Sequence, residues 1–314
     1  MASGGIEMIK TTARIQVPAT TANLGPGFDV LGMALGIYNT VEITMDSGGE
    51  TVVDVTGEGA KLLSTTGSSL IVAAARSVFT RAGVEAAGFR ISQHNCIPLF
   101  RGMGGSAAAI VGGMVAANAL LTKPLPALEI LRLATEMEGH PDNVAPALFG
   151  GFVASCQSGK EVRYIRIDPP PSLNVVILVP AFTLPTKKSR EMLPPQVSLS
   201  DAVFNIGHTA LLVAALCTGD VKQLSFAMED RLHQRYRSAL VPGLDDVITA
   251  ARNAGALAAV LSGAGPAVVA FVTGNGDGVG EAMQQAFLTH GVKSRVILTS
   301  IGRRGALHSA TCIS

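Results

Sequence analysis

Residues 97–108 read Ile97-Pro98-Leu99-Phe100-Arg101-Gly102-Met103-Gly104-Gly105-Ser106-Ala107-Ala108, with three glycines in four positions. Glycine permits a left-handed backbone or a close approach of the backbone to another group. Ser106 is a residue type favoured as a helix N-cap, and a long run of Ala, Val and Leu follows it. A flexible loop that leads into a helix presents amide groups and the positive end of the helix dipole to an anion. We therefore predict a phosphate-binding loop, against the alternative of a glycine-rich turn that only packs its helix.

The composition indicates a soluble protein with an aliphatic core. The chain has 314 residues, 48% of them hydrophobic, and a net charge of +1. This length suits two domains or one large one, and this charge favours neither nucleic-acid nor membrane binding. The four cysteines lack metal-ligand spacing, which is typical of free thiols in a reducing compartment. The N-terminus lacks an apolar signal core, and the apolar run 107–121 is too short to span a bilayer. We expect a cytoplasmic protein.

Hydrophobic periodicity and turn residues predict alternating strands and helices. The proline-rich segment 168–172 is the strongest linker signal and predicts a domain boundary between residues 1–168 and 169–314. The second half is predicted to be an α+β sandwich, with a turn at 262–266 inside a hairpin. Loops are predicted at 18–29 and 183–195. Strands are predicted at 13–17, 41–45, 51–55, 89–93, 151–156, 162–167, 173–179, 257–261, 267–272 and 294–298, and helices at 70–81, 106–121, 126–139, 140–148, 201–216, 221–231, 244–253 and 280–288.

The glycine loop differs from two common nucleotide-binding motifs. A Walker A loop ends in Gly-Lys-Ser/Thr, which this chain does not contain. Gly102, Gly104 and Ala107 do match the dinucleotide spacing G-x-G-x-x-A. However, Pro98 and Arg101 separate these glycines from the preceding strand, and no acidic residue follows at about 20 residues. A nicotinamide-dependent oxidoreductase is therefore disfavoured.

Three motifs are distributed over nearly the whole chain. The first reads Pro18-Ala19-Thr20-Thr21-Ala22-Asn23-Leu24-Gly25-Pro26-Gly27-Phe28-Asp29-Val30-Leu31-Gly32, the second is the glycine loop, and the third reads Ser262-Gly263-Ala264-Gly265-Pro266. In these motifs the chain resembles the GHMP kinase superfamily. The first motif and the block Gly139-His140-Pro141-Asp142-Asn143-Val144-Ala145-Pro146 are similar to the homoserine kinase branch.

The resemblance implies an α+β, two-domain GHMP kinase fold. A ribosomal-protein-like N-terminal domain (1–168) would bind the nucleotide, and a ferredoxin-like C-terminal domain (169–314) would complete the substrate cleft. The implied reaction is the phosphorylation of L-homoserine by ATP and Mg²⁺ to O-phospho-L-homoserine, in threonine biosynthesis. Family members often dimerise, so a homodimer is possible, although the sequence gives no independent sign of one.

The resemblance also implies roles for the loop and for the metal. Met103 and Gly105 replace the usual Leu and first Ser of the family loop, and Phe100 occupies a position that is usually small. Ser106 is retained and would bind the metal together with Glu136 or Glu138, of which we favour Glu136; the alternative for either is a solvated helix face. The implied nucleotide-binding residues are Pro98, Arg101, Gly102, Met103, Gly104, Gly105, Ser106, Ala107 and Ala108.

An amino-acid substrate needs a cation for its carboxylate and acceptors for its ammonium group. Arg190 and Arg237 match the family's two substrate arginines. Without the family pattern, Arg190 would be read as part of an ordinary basic loop, Asp29 as a turn-capping carboxylate and His140 as a satisfied imidazole. The resemblance implies that the amino acid is contacted by Asn23, Asp29, His140, Asp142, Arg190, Arg237 and Gly263.

The catalytic residues implied are Thr186, Asn143 and Arg190. Some relatives use an aspartate as base on the substrate hydroxyl, but this branch has Asn, here Asn143. The hydroxyl proton would then pass to the γ-phosphate, with Thr186 near that phosphate. Two alternatives stay open: a kinase for another carboxylate-bearing alcohol such as mevalonate, and a catalytically silent ligand sensor with the same fold.

Overall fold

The computed structural model describes residues 11–46, 49–63, 69–86 and 88–313, and in these residues the chain forms two sheets, each covered by helices. The strands of the first sheet are β1 (Thr12–Ala22), β2 (Leu31–Asp46), β3 (Thr51–Gly57), β4 (Gly88–Asn95), β5 (Phe152–Ser158), β6 (Glu161–Ile167) and β11 (Thr311–Ile313). Their order is β11-β1-β2-β4-β3, and β5 pairs with both β2 and β6. Only β3 and β4 are parallel among the described pairs of this sheet. The sequence Ser-Gly-Gly at 47–49 predicts a turn, which lies mostly outside the described residues.

Four helices accompany the first sheet: α1 (Leu70–Ala82), α2 (Gly105–Leu120), α3 (Ala127–Glu138) and α4 (Pro141–Phe149). Twelve of the sixteen residues of α2 are buried, which confirms the prediction of a core helix. The predicted N-cap was wrong, because Gly104 precedes the helix with φ +67° and Ser106 is already its second residue. Only glycine fits there: a Cβ on Gly104 would lie 1.9 Å from Thr20 Oγ1.

The second sheet has the order β10-β7-β9-β8, with β7 (Leu173–Pro180), β8 (Ala258–Leu261), β9 (Val268–Thr273) and β10 (Ser294–Ser300). This is the strand order of a ferredoxin-like sandwich, and β8 and β9 form the predicted hairpin. Successive residues of β7 point to opposite faces of the sheet and pack into two different hydrophobic cores. Val176 and Leu178 pack with α9 (Leu244–Asn253) and α10 (Asp277–Thr289), whereas Val175 and Ile177 join the core of the first sheet.

Several segments before β8 differ from the sequence-based prediction. β1 continues to Ala22, into the predicted loop 18–29, and β2 begins at Leu31, ten residues before the predicted strand 41–45. The predicted loop 183–195 contains a short helix, α5 (Thr186–Glu191), and the predicted helix 221–231 is reduced to a 3₁₀ turn followed by α7 (Leu224–Ala227). The Asp230 carboxylate accepts hydrogen bonds from the backbone amides of Leu232, His233 and Gln234 at 2.6–2.9 Å. This side chain therefore stabilises a turn in place of helix, after which α8 (Gln234–Arg237) begins.

The remaining helix, α6 (Leu199–Thr218), is long and apolar enough to cross a bilayer by length and composition alone. One such helix is weak evidence for a membrane protein, and one side of α6 is buried in the core through Leu212, Ala215 and Leu216. The chain end then returns to the first sheet, where β11 pairs with residues 12–14 of β1. Residues 169–314 thus contribute a strand to the N-terminal sheet.

Candidate active site

A cavity of about 470 Å³ lies between the two sheets with their helices. It collects residues from all three sequence motifs and from the block at 139–146. The predicted site residues that line it are Asn23, Asp29, Arg101, Gly102, Met103, Gly104, Gly105, Ser106, Glu138, His140, Asp142, Asn143, Thr186, Arg190, Arg237 and Gly263.

Direct hydrogen bonds join the three motifs. The Ser262 hydroxyl donates to the carbonyl oxygen of Gly102 at 2.7 Å, and the backbone amide of Thr20 donates to the carbonyl oxygen of Met103 at 3.2 Å. Gly102 has φ +74°, and a Cβ there would lie 2.1 Å from the Ser262 carbonyl oxygen. The first and third motifs therefore support the glycine loop from either side.

The glycine loop ends at the first turn of α2. The first amides of a helix have no intrahelical acceptor, and here they belong to Gly105, Ser106 and Ala107. The Ala108 amide donates to the Gly104 carbonyl at 2.8 Å, and its side chain is buried. The structure thus does not support Ala108 as a nucleotide contact, and Ala107 can contribute only its backbone because its side chain is also buried. Pro98 lines a neighbouring cavity instead.

Ser106 and Glu138 form the oxygen-rich side of the cavity. The Ser106 hydroxyl donates to Glu138 Oε2 at 2.7 Å. Burial raises the pKa of the Glu138 carboxyl, although the hydrogen bond from Ser106 opposes that shift. Glu136 lies elsewhere: its exposed carboxylate accepts from Arg132 at 3.0 Å. Our preference for Glu136 as the partner of Ser106 was therefore wrong, because residues two apart in a helix point to different sides.

Opposite charges face each other at the other end of the cavity. The Arg190 guanidinium donates to both oxygens of Asp29, at 2.7 and 2.9 Å, and this hydrogen bonding raises the pKa of Arg190. Asn23 holds the turn that carries Asp29, since its Oδ1 accepts from the Asp29 amide at 3.1 Å and its Nδ2 donates to the Gly263 carbonyl at 3.0 Å. The bidentate pair of Asp29 and Arg190 therefore links the first motif to α5.

His140, Asp142 and Asn143 lie at the start of α4. Nδ1 of His140 is hydrogen-bonded to Oδ1 of the buried Asp142. Burial opposes protonation of His140, but the hydrogen bond and the charge of Asp142 outweigh it and raise the His140 pKa. Asn143 Oδ1 accepts a hydrogen bond of 2.7 Å from the Thr20 hydroxyl. These contacts fix the side chains of both Asp142 and Asn143.

Arg237 is a second cation at this end and is buried. Its Nη1 donates to the Gly263 carbonyl at 3.0 Å. Burial, together with the neighbouring charge of Arg190, lowers the pKa of Arg237 to about 10, so the group is still charged at neutral pH. The Phe28 ring lies near both cations: its centroid is 5.5 Å from Cζ of Arg190 and 5.3 Å from Cζ of Arg237. This geometry favours cation–π attraction.

Comparison with family models identifies the chain. Residues 69–151 match the model for the GHMP kinases N terminal domain, and residues 212–289 match the model for the GHMP kinases C terminal. A homoserine kinase of Moorella thermoacetica is 49% identical over 90% of this chain and 95% of its own length. The chain belongs to the GHMP kinase family.

Other homologous proteins support this assignment over more than nine tenths of the chain. A homoserine kinase of Carboxydothermus hydrogenoformans is 46% identical over 93% of this chain and 95% of its own length. The crystal structure of homoserine kinase from Cytophaga hutchinsonii superposes with a TM-score of 0.86 at 31% identity, covering 98% of this chain and 99% of that one. The expected two-domain GHMP kinase fold is confirmed.

Sequence reasoning missed several features of this GHMP kinase site. One side of the cavity is apolar and is lined by Leu63, Leu70, Leu99 and Ala109, which the sequence shows only as ordinary aliphatic residues. The contacts of Arg101 within the protein were also missed. Its guanidinium donates to the carbonyl oxygens of Leu99, Pro180 and Ala181 at 2.7–2.9 Å. It therefore ties the glycine loop to the end of β7.

Proposed function

We propose that this GHMP kinase transfers the γ-phosphoryl group of ATP to the side-chain hydroxyl of L-homoserine, giving O-phospho-L-homoserine and ADP in threonine biosynthesis. The observation that carries the proposal is the composition of one cavity: loop amides with Ser106 and Glu138 on one side, and Arg190 with Asp29 on the other. Such a cavity complements a phosphate chain and an amino-acid zwitterion together. The relatives described above, whose names are homoserine kinase, support the same reaction.

The substrate proposal assigns each charged group of the amino acid to a partner. Its carboxylate would bind Arg190 and Arg237, because guanidinium groups match carboxylates in shape and charge. Asp29 and Asn23 carry the acceptor oxygens for its ammonium group. Further contacts to the amino acid would come from His140, Asp142 and the Gly263 backbone. The Arg190–Asp29 pair would open to admit the zwitterion between its two charges.

The phosphate side of the proposal rests on positioning and charge, which supply most of the catalysis of phosphoryl transfer. The free amides of the loop would hold the phosphate oxygens. Ser106 and Glu138 are hard oxygen donors 2.7 Å apart, and they fit Mg²⁺, which uses carboxylate, hydroxyl and phosphate oxygens. When bound, Mg²⁺ neutralises charge on the phosphates.

The chain's own residues would then guide the proton of the substrate hydroxyl. Thr186 begins α5 and lines the cavity, where its hydroxyl would contact the γ-phosphate. Asn143 occupies the position of the base in other branches, but an amide does not accept a proton near neutral pH. The proton would therefore pass from the hydroxyl to the transferred phosphate. Raised turnover in an Asn143→Asp variant of unchanged structure would contradict this step.

An ADP-release assay with a panel of alcohols tests the proposal. We expect L-homoserine to give the highest kcat/KM among L-homoserine, L-serine, L-threonine, mevalonate and galactose, and chelation by EDTA to abolish turnover until Mg²⁺ is added. A higher value for mevalonate would replace the substrate assignment. Binding of ATP and homoserine without ADP release would favour the silent sensor instead.

We also propose a cytoplasmic location, because Cys96, Cys156, Cys217 and Cys312 are free thiols and such thiols suit a reducing compartment. The residues that line the cavity all belong to one chain, so the proposed reaction does not require a second copy.

We propose a homodimer separately, and light scattering in solution would test it.

A further inference from the structure

A buried histidine lies behind the described lining of the cavity. His233 has no solvent exposure. Its Nε2 is 2.8 Å from the carbonyl oxygen of Gly25, and its Nδ1 is 3.2 Å from Nη1 of Arg237. Its ring stacks on Phe28 with 5.4 Å between centroids. The imidazole thus touches both the first-motif turn and the buried arginine of the site.

The two partners of His233 determine its tautomer. A carbonyl oxygen only accepts hydrogen bonds, so Nε2 carries the hydrogen; a guanidinium only donates, so Nδ1 presents its lone pair. Both contacts are satisfied only by the neutral ring with its hydrogen on Nε2. Burial lowers the pKa of His233, although the charge of Asp230 opposes that shift, and the neutral form agrees with this direction.

The surroundings hold the ring in one orientation. The backbone amide of His233 donates to Asp230 Oδ2 at 2.9 Å, and Asp230 Oδ1 accepts from Asn205 Nδ2 at 2.7 Å. The Asn205 amide also donates to the Pro26 carbonyl at 3.0 Å. The same polar network therefore anchors both the backbone of His233 and the Gly25–Phe28 turn.

We propose that His233 is a positioning residue for the amino-acid end of the site, on which the proposed function rests. Its Nδ1 orients the Arg237 guanidinium, and its Nε2 fixes the turn that carries Asp29. Arg237 lies one helical turn after His233, whereas Gly25 is 208 residues away along the chain. The imidazole thus sets the spacing between a cation and a carboxylate that come from the two halves of the molecule.

Two substitutions each keep one of the two contacts of His233, and a third removes both. In His233→Asn, Oδ1 takes the place of Nδ1 and still accepts from Arg237. In His233→Gln, Nε2 takes the place of the ring Nε2 and still donates to Gly25. In His233→Leu both contacts are lost at similar volume. Each variant is compared with the wild type for KM of homoserine, KM of ATP and melting temperature.

We expect His233→Leu to raise the KM for homoserine about tenfold, because a buried donor left without its acceptor costs that much. The KM for ATP should stay within about twofold, because His233 contacts the amino-acid end of the site and not the glycine loop. A general loss of folded structure would instead raise both KM values. His233→Asn should recover more of the homoserine affinity than His233→Gln. In an Arg237→Met background, His233→Leu should raise the KM less than it does in the wild type, because the contact between the two side chains is already lost and only the contact with Gly25 remains to be removed.

Two results would overturn the proposal: a His233→Leu enzyme with wild-type KM for homoserine, or one in which both KM values rise together with a lower melting temperature. Additive effects of His233→Leu and Arg237→Met would do the same. Failure of the proposed function can be distinguished from failure of the His233 proposal, because the first already appears as missing ADP release by the wild-type enzyme with homoserine. If another alcohol is the substrate, the same KM ratio is measured with that alcohol, and a wild type that neither converts nor binds any of them overturns both proposals.

Discussion

Glu136 and Glu138 lie on one helix but in different environments, which makes them a matched pair for testing the metal site. Only Glu138 contacts Ser106 inside the cavity, whereas Glu136 is 67% exposed and paired with Arg132. We expect Glu138→Gln to lower kcat about 100-fold or more, the usual effect of removing one charged group that stabilises the transition state. It should also raise the Mg²⁺ concentration needed for half-maximal activity. Initial rates measured against total Mg²⁺ check both effects.

Glu136→Gln provides the control for that experiment. An exposed ion pair contributes about 0–1 kcal/mol to stability, so this variant should keep wild-type rates, Mg²⁺ requirement and melting temperature. Glu138→Gln should not melt lower than the wild type, because it removes a half-buried carboxyl whose pKa is raised by partial burial. Equal losses of activity in the two variants would contradict the assignment of Glu138 to the metal.

The glycine loop offers a second matched pair. Gly104 has φ +67°, and a Cβ there would meet Thr20 Oγ1 at 1.9 Å, whereas Gly105 is helical and its Cβ would meet only Leu99 Cδ2, at 3.3 Å. We expect Gly104→Ala to reduce the free energy of unfolding by about 1–3 kcal/mol and to raise the KM for ATP. Gly105→Ala should change the free energy of unfolding by less than about 1 kcal/mol. Urea unfolding and ATP kinetics on both variants measure these values, and similar destabilisation by the two would contradict the strained-loop explanation.

The limits of sequence reasoning are visible in the same elements. The pattern predicted α1, α3 and α4 closely, since each ends at a glycine and has apolar spacing. It misplaced the start of α2, because Ser106 has the right chemistry for an N-cap but its hydroxyl is used by Glu138. It also extended a helix across Asp230, whose carboxylate binds turn amides instead. In both cases a polar side chain found a partner that local periodicity does not reveal.

Across the whole molecule, the motifs located the cavity but not the contacts inside it. Nearly every motif residue proposed for the site lines one cavity. The bidentate pairing of Asp29 with Arg190 spans 161 residues, and the return of β11 to β1 joins the two ends of the described chain. Both depend on the tertiary arrangement of distant segments, which no single stretch of sequence encodes. The contacts of His233 with Gly25 and Arg237 were missed for the same reason.

Arg101 makes the connection between the glycine loop and the second sheet testable. Its guanidinium donates to two carbonyl oxygens at the end of β7 and to one in its own loop, so Arg101→Met keeps an aliphatic stem but removes these three hydrogen bonds. We expect a loss of about 1–3 kcal/mol in the free energy of unfolding, with a raised KM for ATP because the loop is no longer held to β7. Arg295→Met is the control, since Arg295 is 54% exposed and forms an ion pair with Glu58, and such pairs contribute about 0–1 kcal/mol. Urea unfolding and ATP kinetics compare the two. If Arg101→Met behaves like Arg295→Met, the other hydrogen bonds of the loop, from Ser262 and from backbone amides, are sufficient to hold it. The guanidinium would then only fill space between the two halves of the molecule.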